Sequence, residues 1–273
     1  MIGFGVFFTI AAFLGSWAWL AVAGYLTRQG GTELTGTYSV GYMLVTYLTS
    51  MLLSVTDSEY FPRLSSETDN MERVHVLVNS QVRAMSMLSA PLVIAFIIAM
   101  PLVVFVVLEY EKFYAAISLS QLAVTGLFFK SVSQPIAYVT LAKSDTKIYL
   151  LQETLCYLLL VICVITGYSL FGTPGVGLAL AVWELAYLFV VLIVARYRYS
   201  FVMPADVVRQ ILIQALLVGG VVTLTRFAGL WTGTVCPTVL FALSLWYSVS
   251  FFRHNTTMVP GLFSKITARF RRG

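Results

Sequence analysis

Lys130, Ser133, Gln134 and Glu184 lie inside long apolar stretches. An ionisable side chain at bilayer depth costs about 2.5–3.5 kcal/mol on insertion scales, so each one demands a counter-charge, a water-filled cavity or a function. Ser133 and Gln134 follow Lys130 by three and four residues, which aligns all three on one helix face. Pro135 removes a backbone hydrogen bond and invites a kink beside them. That face reads as cavity lining. Two chemistries are open to it. In one, Lys130 is a compact point charge suited to phosphate, Gln134 assists it, and Glu184 carries a coupling proton or cation. In the other, Lys130 and Glu184 pair and merely stitch helices together. Arg28, at the opening of a polar gap, is a further candidate for contacting an anionic substrate at a cavity mouth. Glu153 and Arg226 are weaker candidates, because each falls within about five residues of a span end and can reach headgroups.

The elements that must position these residues are membrane spans. Windows of about 20 apolar residues give eight candidates, at 2–26, 36–56, 84–108, 114–141, 148–171, 175–195, 209–229 and 232–252. Lys and Arg fall on alternate gaps: Arg63, Arg73 and Arg83; Lys143 and Lys147; Arg196, Arg198 and Arg209; and in the tail Arg253, Lys265, Arg269, Arg271 and Arg272. The intervening gaps hold only Arg28 and Lys112. The positive-inside bias therefore predicts that the basic gaps and both termini are cytoplasmic. These spans predict an all-α, polytopic bundle of about eight transmembrane helices in the cell inner membrane.

Composition agrees, because 59% apolar and 11% charged residues leave too little polar surface for a soluble domain of 273 residues. A net charge of +5 would suggest nucleic acid in a soluble chain, but here the basic residues sit at span ends and in the tail, where anionic lipid headgroups are the expected partner. Span one lacks a basic leading region and a small-residue cleavage site, so it is expected to be retained. Cys156, Cys163 and Cys236 read as apolar packing residues. His75 and His254 stand without Cys or carboxylate partners at ligand spacing, so no metal site and no cofactor are expected. No catalytic set emerges from the short external gaps.

Within the first basic gap, between Arg63 and Arg83, Asp69 with Glu72 three residues on predicts a capped interfacial helix whose apolar face is Met71, Val74, Leu77 and Val78. The tail repeats the pattern with Leu262, Phe263, Ile266 and Phe270 and should lie on anionic lipid. Aromatic residues at the span ends, among them Tyr25, Tyr60, Phe61, Tyr168, Tyr197 and Trp231, predict interfacial belts. The run Gly172, Thr173, Pro174, Gly175, Val176, Gly177 predicts a tight turn whose small residues let two helices approach.

The stretch GTYSVGYMLVTYLTSMLLSVTDSEYFPRLSSETDN (36–70), a span with Pro91, the junction MPLVVFVVLEYEKFYAA (100–116), the span ending AYVTLAKSDTK (137–147) and GYSLFGTPGVGLAL (167–180) together resemble the later half of lipid-linked oligosaccharide flippases. These belong to the multidrug/oligosaccharidyl-lipid/polysaccharide exporter superfamily. The resemblance covers most of residues 1–205. It implies the second six-helix bundle of a two-bundle flippase at 1–205, an additional hairpin at 206–252 and a basic amphipathic tail at 253–273. A first bundle, or a second copy of the chain, is then the expected partner. It further implies transport of a polyprenyl-diphosphate-linked oligosaccharide for surface polysaccharide synthesis, with no bond made or broken. The alternatives are a non-transporting scaffold in an envelope-glycan assembly complex and an integral-membrane glycan polymerase.

Overall fold

The computed structural model describes residues 2–107, 110–227 and 232–254. Six helices follow one another: α1 (Ile2–Ser66), α2 (Met71–Val107), α3 (Tyr110–Ala142), α4 (Thr146–Tyr199), α5 (Ala205–Phe227) and α6 (Thr232–His254). All six are long and apolar enough to cross a membrane. In hydrocarbon every backbone amide must find an internal partner, and the helix supplies one for nearly all.

Two of the six fold back on themselves. Gly31 in α1 has φ 70° and Gly172 in α4 has φ 65°, a left-handed conformation that only glycine adopts without strain. The Thr27 and Thr35 hydroxyls lie 2.8 Å apart, where a straight helix would separate them by about 12 Å. Trp19 and Tyr42 have ring centroids 4.1 Å apart, and the Trp183 indole N–H donates to the Cys156 carbonyl at 2.7 Å. Both helices are therefore hairpins, and the described residues form eight limbs. This multi-pass all-helical bundle agrees with the sequence reading.

The gaps at 66–71, 142–146 and 199–205 meet at one end. Arg198 Nε lies 2.9 Å from Asp145 Oδ2, His75 Nε2 is 3.0 Å from the Tyr199 carbonyl, Arg83 pairs with Asp206, and Lys143 Nζ donates to the Thr68 carbonyl. The basic gaps thus share a surface, and the turns at Gly31 and Gly172 lie at the other. There Tyr25 and Tyr168 meet edge to face at 6.0 Å.

Helix α3 is the inner member of the bundle, packed against α1, α2 and α4. Glycines permit the closest approaches. A Cβ on Gly177 would sit 2.4 Å from the Leu119 carbonyl oxygen, and one on Gly126 would sit 3.1 Å from that of Leu180. Helices α5 and α6 pair with each other and with α2 through buried polar groups: Gln214 Nε2 donates to Ser248 Oγ at 3.1 Å and Ser244 Oγ donates to Gln214 Oε1 at 2.8 Å.

Several local expectations change. The cap of α2 is Asn70 rather than Asp69, since its Oδ1 accepts from the amides of Glu72 and Arg73 at 3.1 and 3.2 Å. The interfacial segment is no separate helix but the first turns of α2, and Val74 and Val78 are buried in the protein core instead of lipid. Tyr60 is also core: it is 3% exposed and its hydroxyl donates to the Pro135 carbonyl at 2.8 Å. Pro135 lies within an uninterrupted α3, without non-helical backbone angles. The tail at 255–273 and Trp231 lie outside the described residues. Asn70→Ala should lower stability by about 1 kcal/mol, the worth of an N-cap, while Asp69→Ala should change it little. Thermal melting in detergent checks both.

Candidate functional site

Four limbs of α1 and α4, with α3 between them, enclose a cavity of about 400 Å³. From α3 come Lys130, Gln134 and Tyr138, spaced by four residues so that they descend one helix face. The α4 limb before Gly172 contributes Tyr149, Gln152, Glu153, Cys156 and Tyr157, again one stripe at helical spacing. The limb after it contributes Trp183, Glu184 and Tyr187, and α1 adds Trp19 and Tyr42 across its own hairpin.

Lys130 Nζ lies 3.1 Å from Glu184 Oε1 and 5.7 Å from the centroid of the Trp183 ring. The Lys130 side chain is 32% exposed and that of Glu184 8%. The ammonium thus reaches the cavity while the carboxylate stands behind it. Gly126 makes this possible, because a Cβ there would come within 3.2 Å of Glu184 Cγ. A second space of about 90 Å³, lined by Tyr42, Thr46, Gly126, Lys130 and Glu184 among others, lies on the far side of the pair. The ion pair therefore borders both.

Gln134 joins the site, with its amide N–H donating to the Tyr138 hydroxyl at 2.8 Å. Ser133 does not: it is fully buried and its hydroxyl donates to the Lys130 carbonyl at 3.2 Å. Arg28 is exposed beside the Gly31 turn and does not line the cavity. Arg226 turns inward rather than toward headgroups, and its guanidinium donates to the Ser118 carbonyl at 2.5 Å.

Two cavity residues escape the sequence reading. Glu153, expected near headgroups, accepts from the Tyr187 hydroxyl at 3.4 Å and from that of Tyr157. Gln152 is 2% exposed, and its Oε1 has no hydrogen-bond partner. The available signal was the polar and aromatic stripe Tyr149, Gln152, Glu153, Cys156, Tyr157 on an otherwise apolar span.

A family model described as "Polysaccharide biosynthesis protein" matches residues 22–117. Among solved structures, the chain is similar to the lipid II flippase MurJ in an inward closed conformation, with TM-score 0.55 and 16% identity over 85% of this chain and 49% of that one. It is also similar to a MOP superfamily transporter from Pyrococcus furiosus, described as having a binding pocket of reverse polarity, with TM-score 0.53 and 18% identity over 89% of this chain and 59% of that one. No curated protein sequence matches. The chain spans about half the length of the first structure and 59% of the second. The chain thus shares its fold with these two structures, in agreement with the fold that the resemblance in the sequence implied.

Proposed function

We propose that this chain is one bundle of a flippase that carries a polyprenyl-diphosphate-linked oligosaccharide across the cytoplasmic membrane for surface polysaccharide synthesis, with the basic end cytoplasmic. The observation that carries the reading is the Lys130–Glu184 pair on the wall of a cavity inside a membrane bundle of transporter fold. The ammonium of this pair is open to the cavity, where the anion of a ligand can reach it. A diphosphate entering the cavity exchanges with Glu184 for Lys130, and Glu184, released, takes up a coupling proton or cation. Gln134 orients the headgroup beside it. Alternating access needs two bundles rocking about a central site, so the complete transporter includes a first bundle or a second copy of this chain. The tail, with its Lys and Arg residues, binds anionic lipid of the inner leaflet.

The test is surface-glycan export in cells lacking the chromosomal copy. Lys130→Gln, expressed and inserted at the normal level, should reduce export at least tenfold, and Arg28→Gln, placed away from the cavity, should leave it within twofold. Normal export by the Lys130 variant would sink the transport reading and leave a scaffold of envelope-glycan assembly.

A further inference from the structure

Two carboxyl groups, Glu153 and Glu184, line the cavity against one amine, that of Lys130. Lys130 is matched by Glu184 at 3.1 Å, whereas Glu153 makes no ion pair among the described residues, accepts from the Tyr157 and Tyr187 hydroxyls and feels Lys130 only at longer range. Beside it in sequence and on the same wall, Gln152 Oε1 is buried and unpartnered. The polar atom that this wall leaves unpartnered is therefore an acceptor, and it stands next to a carboxyl group. Phosphate, which offers only acceptor oxygens, does not complement it. The surrounding surface is aromatic, with Trp19, Tyr149 and Trp183 on three different limbs. Ring faces beside a carboxylate attract organic cations, and Trp183 already receives the Lys130 ammonium.

From these observations we infer that Glu153 and Gln152 form a subsite for a primary ammonium group of the ligand. The inference deepens the flippase reading and rests on it for biological context: the substrate's head is zwitterionic, its diphosphate going to Lys130 and its ammonium to Glu153. Glu153 supplies the counter-charge, Gln152 Oε1 accepts one N–H, and the aromatic rings exclude water from the contact. Two sources of such an ammonium are chemically equivalent at the subsite, an amino sugar of the carried glycan and the headgroup of phosphatidylethanolamine.

Saturation-transfer NMR on the full chain in detergent separates these. The probes are glucosamine and N-acetylglucosamine at neutral pH, followed by nanodiscs made with or without phosphatidylethanolamine. Glucosamine should bind at least tenfold more tightly than N-acetylglucosamine. Glu153→Gln should abolish that preference, and Gln152→Leu should weaken glucosamine at least threefold while raising the melting temperature, since it removes an orphaned polar group. Competition by phosphatidylethanolamine nanodiscs would assign the subsite to lipid, and its absence to the glycan. Equal binding of the two sugars, or an unchanged preference in Glu153→Gln protein that elutes as a single species, overturns the inference. Glycan export that depends on Lys130 but not on Glu153 or Gln152 would overturn it while leaving the flippase reading intact. Ammonium binding by a chain that exports nothing would do the reverse.

Discussion

Glu184→Leu should destabilise the folded chain by about 3 kcal/mol, while Lys130→Leu combined with Glu184→Leu should restore most of that loss. Removing one partner of a buried pair leaves the other charge uncompensated, at about 3–5 kcal/mol, whereas replacing both by apolar groups is often neutral or better. The lower figure applies because the Lys130 side chain is 32% exposed and keeps some access to the cavity. Unfolding by graded denaturant in mixed micelles measures both values. The double variant is the informative one, since it should be stable and yet inactive in export. If it were stable and active, the pair would be ornamental to transport. If it were as unstable as the single variant, the loss would come from packing around Glu184 and not from charge.

Gly177→Ala is expected to cost as much with a single methyl. Its Cβ would lie 2.4 Å from the Leu119 carbonyl oxygen and 3.0 Å from Leu119 Cα, both backbone atoms of α3. No rotamer change relieves such a contact, so α3 and the second limb of α4 must separate. Overpacking of this kind costs about 1–3 kcal/mol, and the rigid neighbour places this case at the upper end. The same separation would lengthen the Lys130–Glu184 contact, because Gly126 holds those limbs together one step further along. Gly24→Ala and Gly219→Ala, whose added methyl groups would meet nothing within 4 Å, should leave the melting temperature unchanged or slightly raised. Equal melting temperatures for all three variants would remove the close approach from the account of this fold.

What the sequence revealed tracks the size of the energies involved. Spans and the shared basic surface were legible because burying a charge or a bare amide in hydrocarbon is expensive, and the pairing of Lys130 with Glu184 was legible for the same reason. Helical period placed Gln134 beside Lys130 correctly and Ser133 wrongly, because a hydroxyl can satisfy itself on its own backbone, as Ser133 does on the Lys130 carbonyl. Glu153 was misread because distance from a span end says how far a side chain can reach, not which way its helix is turned. That rotation is set by packing against α3 and the other limb of α4, which no local pattern encodes. The choice between Asp69 and Asn70 as cap turns on a single residue of register, where neighbouring side chains have nearly equal preference. Tyr60 resembled a headgroup anchor because tyrosine serves equally well where its hydroxyl finds a buried carbonyl.

The hairpins of α1 and α4 reverse direction within one glycine each. A reversal so short leaves almost no chain projecting into water at these two turns, and projecting chain is what proteases cut and antibodies grip. Whichever compartment those two turns face, they offer it few handles. An epitope tag or reporter for mapping orientation belongs instead at the opposite surface, at the exposed Val202 in the connector at 200–204, beyond the left-handed Ser200 and the buried Phe201.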